Sequence, residues 1–156
     1  MNQLSTNIGA YITTRFALSR TLFGVGVGDL AATDGEAFQR STKRPLHLSA
    51  KLVVQVKTTI PSGQSLTIVS TMKDSEAGSV YADLAGGSGT SVITGLDSGA
   101  EQKTTVEVDV NLIGAKDYIR PTFTGTLTAS GSSVVEISSV LVLGGGETIP
   151  ATLETA

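Results

Sequence analysis

The chain has 156 residues, a mass of 16.0 kDa and a formal charge of −3, the size of a single domain built on one core. With no cysteine and a single histidine, His47, a disulfide framework and a thiolate zinc site are excluded, and most imidazole metal sites with them. Aromatics at 4% leave no stock of stacking platforms, so neither that nor the mild charge points to nucleic acid.

The charge is uneven along the chain. Residues 1–60 carry seven basic side chains against three acidic ones, a balance of +4, and the remainder holds −7. Such asymmetry would let the basic part of one subunit meet an acidic surface on another. No run of about 20 apolar residues exists, so no transmembrane helix and no membrane partner are expected. Met1–Ala10 lacks the basic start and apolar core of a secretory signal, so the expectation is a protein made and used without export.

Residues 1–28 are read as an extended N-terminal arm. Ile8, Tyr11, Ile12, Phe16 and Leu18 are also compatible with a short helix, or with the first strand of the sheet that follows. The segment's apolar side chains, its two arginines and a hinge at Gly24, Gly26 and Gly28 make Tyr11, Ile12, Arg15, Phe16, Arg20 and Phe23 the candidate interaction residues. Gly24–Asp29 superficially resembles a nucleotide loop. It lacks the last glycine of that motif and any surrounding βαβ pattern, so it is read as a flexible or closely packed strand. Ala31–Glu36 is read as a turn into a short strand at Ala37–Arg40.

Alternation then becomes the dominant signal. In Leu46–Lys57, Leu46, Leu48, Leu52, Val54 and Val56 share one parity, and His47, Lys51, Gln55 and Lys57 the other, which predicts a strand with one face in the core and His47 solvated. Ile60–Gln64 is a turn, followed by a strand at Ser65–Lys73. Asp74, Glu76 and Asp83 are conceivable calcium ligands, but their spacing is not that of an EF-hand and a solvated loop is the preferred reading. Val80–Leu84 and Thr90–Thr94 are read as two strands separated by a flexible loop at Ala85–Gly89. Thr104–Leu112 alternates cleanly, with Glu107 and Asp109 outward as solubilising charges rather than a catalytic pair. Tyr118–Thr128 and Ser133–Leu143, separated by Ala129–Ser132, read as one long β-hairpin.

The resulting expectation is an all-β, antiparallel, jelly-roll-like β-sandwich of about eight strands. The sandwich spans 29–146, with the arm at 1–28 and a C-terminal tail at 147–156. An immunoglobulin-like sandwich is the runner-up, without that fold's cysteine and tryptophan landmarks.

Three stretches carry a family likeness: LHLSAKLVVQVKTTIPSGQSLTIVSTMKDSE at Leu46–Glu76, GAKDYIRPTFTGTLTASG at Gly114–Gly131, and VVEISSVLVLGG at Val134–Gly145. In their order they resemble the jelly-roll cement, or head-decoration, proteins of tailed bacteriophages. The resemblance implies a structural virion protein, made in the host cytoplasm and placed on the capsid surface. It also implies bridging of major capsid protein subunits as a homo-oligomer, dimer or trimer. A carbohydrate- or receptor-binding sandwich module is the alternative, weakened by the absence of tryptophan. No catalytic residue, cofactor or metal is expected, since one histidine cannot supply the ligands of a metal-dependent sandwich enzyme.

Overall fold

The computed structural model describes residues 12–24, 28–40, 47–94, 101–128 and 134–144. Among these, nine strands are found: β1 (Thr13–Gly24), β2 (Gly28–Asp34), β3 (Phe38–Gln39), β4 (Ser49–Thr59), β5 (Ser65–Ser75), β6 (Ala82–Thr94), β7 (Glu101–Asn111), β8 (Tyr118–Leu127) and β9 (Val134–Gly144). One sheet has the order β1-β9-β4-β7; the other has the order β2-β8-β5-β6, with β3 also paired to β8. Every pairing is antiparallel.

With the two-residue β3 set aside, the pairing is nested. β5 pairs with β6, β4 with β7, β2 with β8 and β1 with β9. A ribbon of four strand pairs, rolled so that β4 meets β9 and β5 meets β8, is a jelly roll. The core lies between the sheets, where the inward residues of each strand converge: Leu52 and Val54 of β4, Leu66 and Ile68 of β5, Val108 of β7, Phe123 of β8 and Ile137 of β9 are all buried. The expected alternation holds in β4, β7 and β9, where buried and more exposed residues follow one another.

Four expectations change. First, β8 and β9 do not form a hairpin. They lie in different sheets, β8 between β2 and β5, and β9 between β1 and β4, because the roll gives each strand a partner distant in sequence. Second, the expected arm does not leave the sandwich over Thr13–Gly24. That segment is β1, an edge strand on β9 that places Ala17 and Leu18 in the core, and residues 31–34, expected as the start of a turn, belong to β2. Residues 1–11 and the tail at 147–156 lie outside the described residues.

Third, Ala85–Gly89 is not a loop between two strands but the middle of β6. A Cβ on Gly89 would sit 2.5 Å from a Val108 methyl, so the missing side chain lets this edge strand lie flat on β7's inward face. Fourth, His47 is not solvated: it is 6% exposed. The strand begins at Ser49, so the parity extrapolated back from β4 does not apply at 47–48, and Leu48 is exposed instead.

Candidate interaction surface

One end of the sandwich gathers the N-terminal side of β1, the start of β4, the C-terminal side of β9 and the β5–β6 and β7–β8 connections. Thr13 faces Leu143, Ser49 faces both Asn111 and Gly144, and Ser75 faces Tyr118. The centre of this end is Arg40, a buried side chain just past β3. Its Nη2 donates to the carbonyls of Leu112 at 2.9 Å and His47 at 3.1 Å. Its Nη1 donates to the carbonyls of Ala115 and Lys116, and its backbone N–H donates to the carbonyl of Asp117 at 2.6 Å. One guanidinium thus ties the segment before β4 to the β7–β8 turn, as its fork of donors permits. Burial pulls its pKa down, and Asp117 and Asp74 pull it back up.

Asp74, weighed above as a calcium ligand in a solvated loop, is buried at the end of β5 and accepts the Lys116 backbone N–H at 3.1 Å, with Lys116 Nζ at 3.7 Å. Asp83 pairs with Lys73 at 3.7 Å, and Glu76 is exposed. Among the described residues no group of three or more His, Cys, Asp or Glu side chains is placed to hold a metal.

Local turn chemistry presents apolar side chains at this end. Asn111 Oδ1 accepts the Ile113 N–H at 2.9 Å, the Ala115 N–H donates to the Leu112 carbonyl at 3.1 Å, and Gly114 has φ +80°. This is an Asx turn leading into a type II turn, whose third position needs a positive φ. The turn holds Ile113 at its second position, 69% exposed. Leu48 and Ile12 are also exposed, and with Ile113, Val110 and Val142 they line a hollow of about 650 Å³. Val80, 82% exposed, stands on the β5–β6 connection at the same end.

The six residues expected to make contacts are not brought together as one patch. Tyr11 lies outside the described residues, and Arg20 and Phe23 are in β1 with side chains outside the description. Ile12 borders the apolar hollow. Arg15 turns back onto the fold, its guanidinium carbon 5.6 Å from the centre of the Phe38 ring. Phe16, the next residue, points to the outer face of the four-stranded sheet beside Val140 and is 80% exposed. Leu48 was read from sequence as a core residue, and neither Val80 nor Ile113 was singled out for contact; only the Asn111–Gly114 turn signal could have flagged Ile113.

Strand pairing offsets part of the charge asymmetry along the chain within the fold. On the outer face of the four-stranded sheet Lys51 of β4 reaches Glu107 and Asp109 of β7, both at 2.9 Å. Lys57 reaches Glu101 at 2.8 Å and Glu136 of β9 at 4.0 Å, and Lys103 reaches Glu101 at 3.2 Å. Hydrogen bonds donated to Glu107 and then Asp109 raise the Lys51 pKa, and those accepted from Lys57 and then Lys103 hold Glu101 below the usual carboxylate range. Lys51 and Lys57, two basic residues of the first 60 positions, therefore find acidic partners from the later part of their own chain.

No family model matches the sequence, and no curated protein matches it. Solved structures with a similar course of the chain share little sequence. The PBSX exported protein XepA is 14% identical with a TM-score of 0.43, over 92% of this chain and 41% of that one. The VP2 subviral particle of infectious bursal disease virus is 13% identical with a TM-score of 0.48, over 92% and 35%. A structure described as "CBM4 structure and function" is 11% identical with a TM-score of 0.42, over 93% of each chain. The chain thus spans well under half the length of the two virus- or phage-derived proteins, and its jelly-roll assignment rests on its own strand order.

Proposed function

We propose that this protein works by contact rather than catalysis, as a structural virion protein that decorates a bacteriophage capsid and bridges its major capsid protein subunits. The docking element in this reading is the end built around Arg40. The observation that carries it is the gathering there of Ile12, Leu48, Val80 and Ile113, exposed apolar side chains. Ile113 is held outward by a turn bonded at both its ends. An apolar group that local bonding keeps in water is well suited to anchor a partner. The likeness of Leu46–Glu76 and Gly114–Gly131 to head-decoration proteins supports the choice of partner. A shell repeats one site many times, so modest contacts add up through a symmetric oligomer.

The test is co-sedimentation of the full chain with phage shells assembled from major capsid protein alone. The double variant Val80→Asp/Ile113→Asp is expected to melt like the parent and to lose binding. Full binding by that variant would overturn the assignment of this end, and no binding by the parent would overturn the decoration reading.

A further inference from the structure

The outer face of the four-stranded sheet extends along the strands from the hollow of the proposed docking end, which takes in Lys51, Asp109 and Val142 of this same face. Its register sets three rows across the strands. Phe16, Val140 and Val53 form the first; Ser138, Gln55 and Thr105 the second; Glu136, Lys57 and Lys103 the third. Rows two residues apart are separated by about 7 Å and neighbouring strands by about 4.8 Å, so the face extends roughly 14 Å along the strands. A hollow of about 670 Å³ lies over the second and third rows, and a smaller one of about 200 Å³ lies over the first, with Gln55 and Ser138 lining both.

The chemistry of these rows is specific. Phe16 offers an aromatic face that is 80% exposed, flanked by partly exposed valines, which suits the C–H face of a sugar ring. The next row offers a carboxamide and two hydroxyls, groups that both donate and accept, with Ser138 Oγ and Gln55 Oε1 3.5 Å apart. The third row is charged but internally balanced, since Lys57 and Lys103 are held by Glu101 and Glu136. An anion would have to displace a carboxylate from these lysines. A neutral, polyhydroxylated ligand would not.

We propose that this face binds a short neutral oligosaccharide, with Phe16 as stacking platform and Gln55, Ser138 and Thr105 as hydrogen-bonding groups. The site lies further along the strands than the docking side chains Ile12, Leu48, Val80 and Ile113 and does not use them.

The experiment is a ¹H–¹⁵N titration of the full chain with maltotetraose, cellotetraose, mannotetraose and chitotetraose in turn. With at least one of them, saturable shifts are expected on the amides of Gln55, Lys57, Thr105 and Ser138. Phe16→Ala and, separately, Gln55→Ala should each weaken binding about tenfold, close to 1.4 kcal/mol, without lowering the melting temperature. Ile113→Asp should leave binding unchanged. Absence of saturable shifts with all four sugars overturns the proposal, as do shifts that both Phe16→Ala and Gln55→Ala leave intact.

Discussion

Arg40 and His47 show how far a single side chain can organise a loop region. The two most buried Arg40 hydrogen bonds, to Leu112 and His47, are charge-assisted, and replacing Arg40 by Met would take this donor from the His47 carbonyl and leave the Leu112 carbonyl with the Ala115 N–H alone. A loss of about 3 kcal/mol is expected, read as a lower urea midpoint; an unchanged midpoint would remove Arg40 from its place at the centre of this end. His47 is buried with no partner for Nδ1. Burial first, and then the positive charges of Arg15 and Arg40, keep its pKa below the ordinary value of 6.5. The unfolded chain therefore binds a proton at a higher pH than the folded one. Stability should fall as pH drops below about 6.5, and His47→Phe should flatten that slope. A parent chain whose melting temperature is level from neutral pH through the histidine range would contradict this.

At the scale of elements, β1 is the decisive strand. Phe16 faces Val140 and Leu18 faces Ser139, so β1 spends two steps on one of β9, and Ala17 is the extra residue of a β-bulge. The bulge leaves the Ala17 carbonyl to accept the Glu36 N–H at 2.7 Å, which ties this edge to the turn after β2. Bulges also blunt an edge strand against pairing with other chains. A chain beginning at Asp29 would lose this strand and uncover β9 with its buried Val135 and Leu141. It is expected to lack a cooperative thermal transition by circular dichroism; a sharp transition near the parent's would show that β1 is dispensable. In β6, Gly89→Val is expected to cost about 1–3 kcal/mol by overpacking against Val108, measurable as a fall in melting temperature.

For the whole molecule, the nested roll makes nearly every strand pairing distant in sequence: the first strand pairs with the last and the second with the next to last. Loop closure over such separations precedes most of the stabilising contacts, so folding should be slow, in the range of milliseconds to seconds. Stopped-flow refolding complete within tens of microseconds would be incompatible with this topology. The two proposed sites use different side chains, those presented by the connections at one end and those set in rows by strand register further along the outer face, so shell binding and sugar binding should be removable independently by substitution.

Period-two alternation was enough to place β4, β5, β7 and β8 and to say which of their side chains enter the core, because burial of one sheet face imposes that period locally, while β9 was placed by its β-branched and aliphatic composition. A turn at Gly114–Lys116, after a strand read to Leu112, was legible, but the bonds that hold Ile113 outward were not. Strand partners were not legible. Tyr118–Leu127 and Val134–Gly144 read as a hairpin because they are neighbours in sequence, yet pairing is decided by which faces must cover each other across the core. Residues 13–24 lack clean alternation because the bulge at Ala17 shifts their register, so only the tertiary structure showed them as a strand. The contact surfaces belong to the same class: Phe16 next to Gln55 and Ser138, and Ile12 next to Ile113, are neighbours only through long-range pairing, which no local pattern of side chains records.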